Sequence, residues 1–379
     1  MSVGETSAAV ILLLVLSIVA AKEVEAQATW EVSDRPALVI GTEAGPPFSV
    51  FHDIRGVVTA EDTLVVVADG ESRELRIFNS SGDFVEAFGG RGDGPREFRA
   101  IDWVDRCGDA AIVVYDLYRR RVTKWDAQGI LLDGFNVEST EPSRPAYALS
   151  CGPSEGFAVV GWPDVLSYRV GQGPYRPDTN VGIVGPDGRL EKVLATVPGS
   201  ERYRYESEGF SDGPRRLGKT TIARMGAGGV FVGTGDSYEI EVFRADGGSF
   251  TFGKPQESLE FTREMLEVWQ NSLLSRVPPG DRAVARRTLA RLEMPETLPA
   301  YADFRFDGLG LLWVARFPVP GQNRNEWDVW RISESDGVHI ASIQVPRSFQ
   351  VMEIGFDYLM GVDTDSLGIQ RIHRYRLSR

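Results

Sequence analysis

Histidine is scarce in this chain. There are three, His52, His339 and His373, and none lies a short spacing from another histidine or from a cysteine. A zinc site wants close pairs such as H-x-x-x-H, so a histidine-based metal centre is not expected. Cysteine is scarcer still, with Cys107 and Cys151 alone, enough for one internal disulfide or for two reduced buried thiols. No Ser–His–Asp set is identified by sequence, although GPSEG at 152–156 fits the G-x-S-x-G pattern. Basic residues interleave with aromatics only in short stretches such as RYRY at 202–205, and the formal net charge is −13. Such a chain is repelled by nucleic acid and by anionic lipid. The apolar run at 8–21, AAVILLLVLSIVAA, has 14 residues, short of the about 20 that a spanning helix needs.

That run suits the hydrophobic stretch of a secretory signal, and Ala26-Gln27-Ala28 supplies an A-x-A cleavage site with a mature start at Thr29. Lysine and arginine are missing before it, which leaves an uncleaved anchor or a misplaced start open. The expectation is a signal peptide over 1–28 and an exported chain, periplasmic or extracellular, over 29–379, with no membrane span in the mature part. Removing 28 of 379 residues leaves 351; the leader carries a net −2, so the mature charge is −11. That length holds two ordinary domains or one large β architecture.

Three stretches repeat one another: LVVVADGESRELRIF (64–78), AIVVYDLYRRRVTKW (111–125) and GVFVGTGDSYEIEVF (229–243). Each opens on an apolar, β-branched run, turns on polar residues and ends by alternating to an aromatic, Phe78, Trp125 or Phe243. This is a hairpin pattern. Asp69 and Asp116 each stand nine residues before the aromatic, and Thr234 takes that slot in the third copy. A second turn follows each hairpin, marked by Gly82, Gly129, Gly188, Gly247 and Gly337 at intervals of 47, 59, 59 and 90. Glycine there is expected to supply a positive φ. A period near about 50 with four strands per unit is that of a β-propeller blade.

Residues 257–297 break the pattern. Thr262–Ser275 carries a helical stripe of Met265, Leu266, Trp269, Leu273 and Leu274; Pro278-Pro279-Gly280 ends it, and Asp281 is placed to cap a second helix with Val284, Leu289 and Leu292 on one face. A helical hairpin is therefore expected between blades four and five. The remaining length divides into six units of roughly 50 residues. The last, 349–379, has three strand-like runs, and ALVIG at 37–41 is a spare first strand that would close the ring.

The segment GGRGDGPREF (89–98), followed by IVVYDLYRRRVTKWDAQG, resembles the repeat of six-bladed propellers of the NHL type. That family joins blades through G-x-G-x-G-P-x-E-F, followed by a V-x-D strand end and an R-V-x-x-[FW]-D-x-x-G hairpin. Residues 56–135 carry the likeness; later units match in outline only, and Arg96 stands where glycine is usual. The resemblance implies an all-β, six-bladed propeller closed by an N-terminal strand. Some six-bladed propellers are lactonases or lyases whose metal is held by channel carboxylates, Asn or His. A divalent metal such as calcium, which Glu, Asp and Asn can hold, is thus the alternative to an expected absence of cofactor.

GPRRLGKT at 213–220 fits the phosphate-loop pattern G-x-x-x-x-G-K-[ST]. The charged SERYRYESEGFSD before it and the glycines at 226, 228 and 229 after it do not supply the buried strand and following helix that the function needs. It reads as a blade linker, sharing D-G-P-R with residues 93–96, so no nucleotide is expected. Arg91-Gly92-Asp93, an integrin-ligand tripeptide, lies in the same kind of linker and reads as incidental. Cys107 and Cys151 open neighbouring blades in equivalent turns, where a disulfide is geometrically reasonable.

Propeller ligands bind at a mouth of the central channel. The innermost strands are expected at 53–57, 100–104, 219–223, 302–306 and 350–354, offering Arg55, Asp102, Lys219, Asp303, Arg305 and Glu353. Mixed charges of this kind suit a polar ligand, though mutual pairing is the simpler use for them. Arg282, Arg286, Arg287 and Arg291 give the helical insert a basic face. The expected function is a binding or interaction module for a small polar molecule, a glycan or a protein surface, with a metal-dependent, lactonase-like hydrolase or lyase as the alternative.

Overall fold

A computed structural model describes residues 30–61, 63–107, 111–140, 146–152, 156–161, 171–206, 210–255, 259–322 and 325–379. The expected signal peptide lies outside them. The described chain is all-β, built of many small antiparallel sheets. The first contains Ile54–Ala60, Leu64–Asp69, Glu74–Phe78 and Phe84–Gly89, hydrogen-bonded in that order. The second repeats the order with Trp103–Cys107, Ala111–Asp116, Arg121–Trp125 and Leu131–Asn136. The third has Ala146–Cys151, Phe157–Gly161, Asp178–Val184 and Leu190–Pro198; the fourth has Ile222–Gly226, Gly229–Gly233, Glu239–Phe243 and Ser249–Gly253. The fifth has Tyr301–Phe306, Leu312–Arg316, Glu326–Ile332 and Gly337–Gln344. The sixth has Phe349–Ile354, Tyr358–Thr364 and Gln370–Ser378, and on this last strand pair both Leu38–Ile40 and Glu31–Val32.

The second strands are continuous apolar runs because both their faces are covered. Val65, Val66, Val67 and Ala68 are each at most 1% exposed. Val66 and Ala68 pack toward the second sheet, with Val104, Val114 and Trp125, while Val65 and Val67 pack toward the sixth, with Met360 and Ile372. Comparable clusters join the second sheet to the third, the third to the fourth, the fourth to the fifth and the fifth to the sixth. The first strands follow the same succession of contacts, and Phe349–Ile354 packs on Ile54–Ala60.

The repeated aspartate is a structural device. Asp69 accepts from the backbone N–H of Asp53 at 3.4 Å and, through its other oxygen, from the N–H and hydroxyl of Ser72 at 3.1 and 2.8 Å. Asp116 accepts from the N–H of Arg99 at 2.7 Å and of Arg119 at 3.1 Å. Each carboxylate thus ties the chain entering a sheet to the turn between that sheet's second and third strands. A charged acceptor buried at such a junction satisfies backbone donors that would otherwise be orphaned. In the third copy the Thr234 hydroxyl donates instead to Asp236, at 2.8 Å.

Gly82, Gly129, Gly188 and Gly247 have φ of 87, 73, 85 and 93°, as the turns demand. Gly337 does not share this left-handed conformation. It opens a strand, and a Cβ there would stand 2.4 Å from the Phe252 ring, so close approach, and not turn conformation, explains this glycine.

Leu259–Glu260 pairs with Thr297–Leu298, and between them stand two helices, α1 (Arg263–Ser275) and α2 (Arg282–Leu289). Thr262 caps α1 by accepting from the Met265 N–H at 3.3 Å. Asp281 does not cap α2. It ends a 3-10 turn, Pro279–Asp281, with helical backbone angles and no side-chain cap bond; capping needs an extended residue, which that turn precludes. A second insertion was not legible beforehand. Gly173–Tyr175, Arg202–Glu206 and Phe210–Pro214 form a separate three-stranded antiparallel sheet. GPRRLGKT therefore begins in a strand, turns at Leu217 (φ 56°) and leads to the strand Ile222–Gly226, with no helix after it. In the Arg-Gly-Asp tripeptide, Asp93 pairs with Arg99 of the same linker at 2.6 Å and with Arg119 of the following sheet's second turn at 3.3 Å.

Candidate functional site

Five of the six first strands contribute to one cavity of about 400 Å³ at their C-terminal ends. Asp105 and Arg106 come from Trp103–Cys107, Cys151 from Ala146–Cys151, Arg224 from Ile222–Gly226, Arg305 from Tyr301–Phe306 and Glu353 from Phe349–Ile354. In four of the five strands charged residues interrupt an otherwise apolar run; Ala146–Cys151, AYALSC, carries none. A second cavity of about 500 Å³ opens toward the N-terminal ends of three of these strands, Ile222–Gly226, Tyr301–Phe306 and Phe349–Ile354. Arg224 and Asp303 line or border both, so this ion pair stands between them.

The pair is tightly organised. The Asp303 carboxylate meets Arg224 at 2.6 Å and Arg305 at 3.0 Å. Burial acts to raise its pKa, but the two guanidiniums outweigh burial and hold it below the ordinary carboxylate range. Arg224 also donates to the Phe304 carbonyl at 3.0 Å, and Arg305 to the Met352 carbonyl at 2.8 Å. Across the cavity, burial pushes the Asp105 carboxyl up, against the Arg106 N–H and the fields of Arg305, Arg224 and Arg106. Burial likewise pushes Glu353 up. That carboxyl accepts from the Thr59 N–H at 2.7 Å, the Thr59 hydroxyl at 3.1 Å and the Tyr358 hydroxyl at 3.0 Å, and so pins the sixth sheet to the first. Arg106, exposed, has one long bond to the Thr59 carbonyl, at 3.4 Å. Three guanidiniums, Arg106, Arg224 and Arg305, therefore meet three carboxylates, Asp105, Asp307 and Glu353, in a chain whose total is acidic.

Of the residues expected at a channel mouth, Arg305 and Glu353 do share this cavity, and Asp303 stands at its inner end. Arg55 is exposed, paired with Asp53 at 2.8 Å, and lines neither cavity. Asp102 accepts from the Leu117 N–H at 2.8 Å, with burial pushing its carboxyl up. Lys219 pairs with Asp236 at 3.2 Å, beside Arg176 on the same carboxylate at 2.7 Å. The expected inner strands 100–104 and 219–223 are three residues early, the strands being Trp103–Cys107 and Ile222–Gly226. Residues before them are consumed by the incoming linker: Asp102 caps the next turn, and the Thr221 hydroxyl donates to the Pro198 carbonyl at 2.5 Å. An odd shift moves every side chain to the opposite face, which puts Asp105 and Arg224 at the cavity in place of Asp102 and Lys219. Charge inside a short strand, Asp105 and Arg106 in WVDRC and Arg224 in IARMG, was the available signal.

Cys107 and Cys151 are joined in a disulfide with Cα atoms 5.7 Å apart. It ties the second sheet to the third, and Cys151 forms part of the cavity wall. Among the described residues no three His, Cys, Asp or Glu side chains are grouped so as to hold a metal ion. His373 is half-buried against the Tyr375 hydroxyl, His52 is exposed, and His339 contacts Asp328. No helix among the described residues is long and apolar enough to cross a membrane.

No family model matches the chain, and no curated protein does. Solved structures similar to it include a protein described as exported from Bacteroides fragilis, at 10% identity over 94% of this chain and 98% of that one, with a TM-score of 0.48. A DUF4221 family member from Bacteroides vulgatus is similar at 9% identity over 93% and 99%, with a TM-score of 0.49. Virginiamycin B lyase from Staphylococcus aureus is similar at 9% identity over 92% and 99%, with a TM-score of 0.45. No residue role is carried over from any of them.

Proposed function

We propose that the chain is an exported six-bladed β-propeller of the NHL type, closed by its N-terminal strand, which binds a small polar ligand at one mouth of its central channel. Six sheets of four or five strands, the cyclic succession of their core clusters and the pairing of Leu38–Ile40 with Ile372–Arg374 support the architecture. The linker GGRGDGPREF and the paired Asp69 and Asp116 devices support the NHL type. The leader-like run and the disulfide support export. The observation that carries the ligand reading is the convergence of Asp105, Arg106, Arg224, Arg305 and Glu353 on one cavity. An acid bearing hydroxyl or amino groups suits that mixture, its carboxylate on the guanidiniums and its donors on Asp105 and Glu353.

Thermal denaturation with glucuronate, glutamate and citrate, against glucose and choline as uncharged and cationic controls, tests this reading. At about a hundredfold over Kd an occupied site adds roughly 2.7 kcal/mol and raises Tm. Arg106→Gln, at an exposed residue, is expected to keep the unliganded Tm and to weaken the responding acid about tenfold or more. Controls that shift Tm as much as the acids, or a response untouched by Arg106→Gln, would overturn it.

A further inference from the structure

We infer that the second cavity, at the opposite ends of the first strands, is a separate site for an amphipathic anion: a small acid with an apolar body. Its volume, about 500 Å³, lies within the range of cavities that enclose small molecules. Its wall combines two kinds of surface. Ala302, Ala315, Pro318, Trp327, Phe349 and Val351 give an apolar side. Arg224, Arg316 and Arg347 give a cationic side, and the one carboxylate in the lining, Asp303, is already held by Arg224 and Arg305. A neutral apolar ligand would leave the open side of the Arg316 guanidinium unused, and a wholly polar one would leave the apolar side uncovered.

Arg316 is built as an anchor. Its Nε and Nη2 bind Asp328 at 2.9 and 3.0 Å, and Nη2 also lies 3.3 Å from Glu326. Its Nη1 makes no hydrogen bond among the described residues, and the side chain is 40% exposed. The guanidinium is therefore fixed by a buried carboxylate on one side and has donors left on the other, so an incoming carboxylate need order little. Trp327, 4% exposed, has its indole N–H buried without an acceptor among the described residues. A buried donor left unpaired is costly, and a ligand oxygen on that side of the cavity would relieve it.

Titration calorimetry with octanoate, octan-1-ol and inorganic phosphate tests the inference on the full chain. Octanoate is expected to bind at one site per chain, about tenfold or more tighter than octan-1-ol or phosphate, as one charge-assisted contact joined to apolar burial implies. Ala302 is exposed, so Ala302→Trp should fill the cavity, keep Tm and abolish octanoate binding. Arg316→Gln should weaken octanoate about tenfold and octan-1-ol little. Arg106→Gln, in the opposite cavity, should leave octanoate binding unchanged, which separates failure here from failure of the first site. No saturable octanoate binding, equal affinity for octan-1-ol, or full binding by Ala302→Trp would overturn the inference.

Discussion

Replacing Asp328 by alanine is expected to destabilise the protein by about 3–5 kcal/mol, the cost of breaking a buried charge network by removing one member. Asp328 is fully buried. It accepts from Tyr238 at 2.6 Å, Ser342 at 2.6 Å, Lys254 at 2.9 Å and Arg316 at 2.9 and 3.0 Å, and it contacts His339 at 3.2 Å. These partners come from the fourth and fifth sheets and the segment between them, so the carboxylate is the polar counterpart of the apolar cluster joining those sheets. Its removal would strand two cations and a buried phenol at once. Tyr238→Phe, which deletes one donor and keeps the ring, is expected to cost only about 0.5–1.5 kcal/mol. Chemical denaturation of both variants checks this; an Asp328→Ala cost no larger than that of Tyr238→Phe would refute the network's role.

The same site sets a pH dependence. Burial acts to raise the Asp328 pKa, but its hydrogen bonds from Arg316, Ser342, Tyr238 and Lys254 win and hold it well below the ordinary range. A depressed carboxyl stabilises the fold above its unfolded value of about 3.9 and loses that contribution as pH falls toward the folded value. His339 adds in the same sense. Burial first and Lys254 next lower its pKa, so folding favours neutral imidazole, and stability declines as pH falls from about 6.5. Acid unfolding should therefore be less steep in Asp328→Asn than in the natural chain.

The hairpin repeat and the helical pattern at 262–275 were legible because their periods are local: alternation, a fixed turn glycine, a capped apolar stripe. The separate sheet Arg202–Glu206 with Phe210–Pro214 was not, because RYRYE and FSDGP are short and charged, and RYRYE also pairs with Gly173–Tyr175 some thirty residues away. Arg305 and Glu353, both expected at a channel mouth, share the cavity because their strands begin directly after short turns. Asp105 and Arg224 were missed because linkers of unequal length shift the register, and strand entry is fixed by tertiary acceptors such as Asp116 and Asp102 that a local pattern does not reveal.

Removing the Cys107–Cys151 disulfide, by reductant or by a double serine substitution, is expected to cost about 3–4 kcal/mol, the loop-closure value for a crosslink of this span. The bonded residues are 44 apart in sequence with Cα atoms separated by 5.7 Å, within the ordinary range. The segment enclosed is most of the second sheet and the entry to the third, and Cys107 itself is packed in the apolar cluster between them, with Val113, Leu149 and Phe157. Because that cluster persists without the crosslink, the reduced protein should still fold, at a lower denaturant midpoint. Because Cys151 and Arg106 form one wall of the polar cavity, with the Cys151 sulfur 3.5 Å from the Arg106 carbonyl, ligand affinity there should fall with reduction. Octanoate binding at the opposite mouth, which no cysteine lines, should not change. Denatured protein prepared without reductant should react with no thiol reagent; free thiols in that assay, or equal midpoints with and without reductant, would refute the crosslink's contribution.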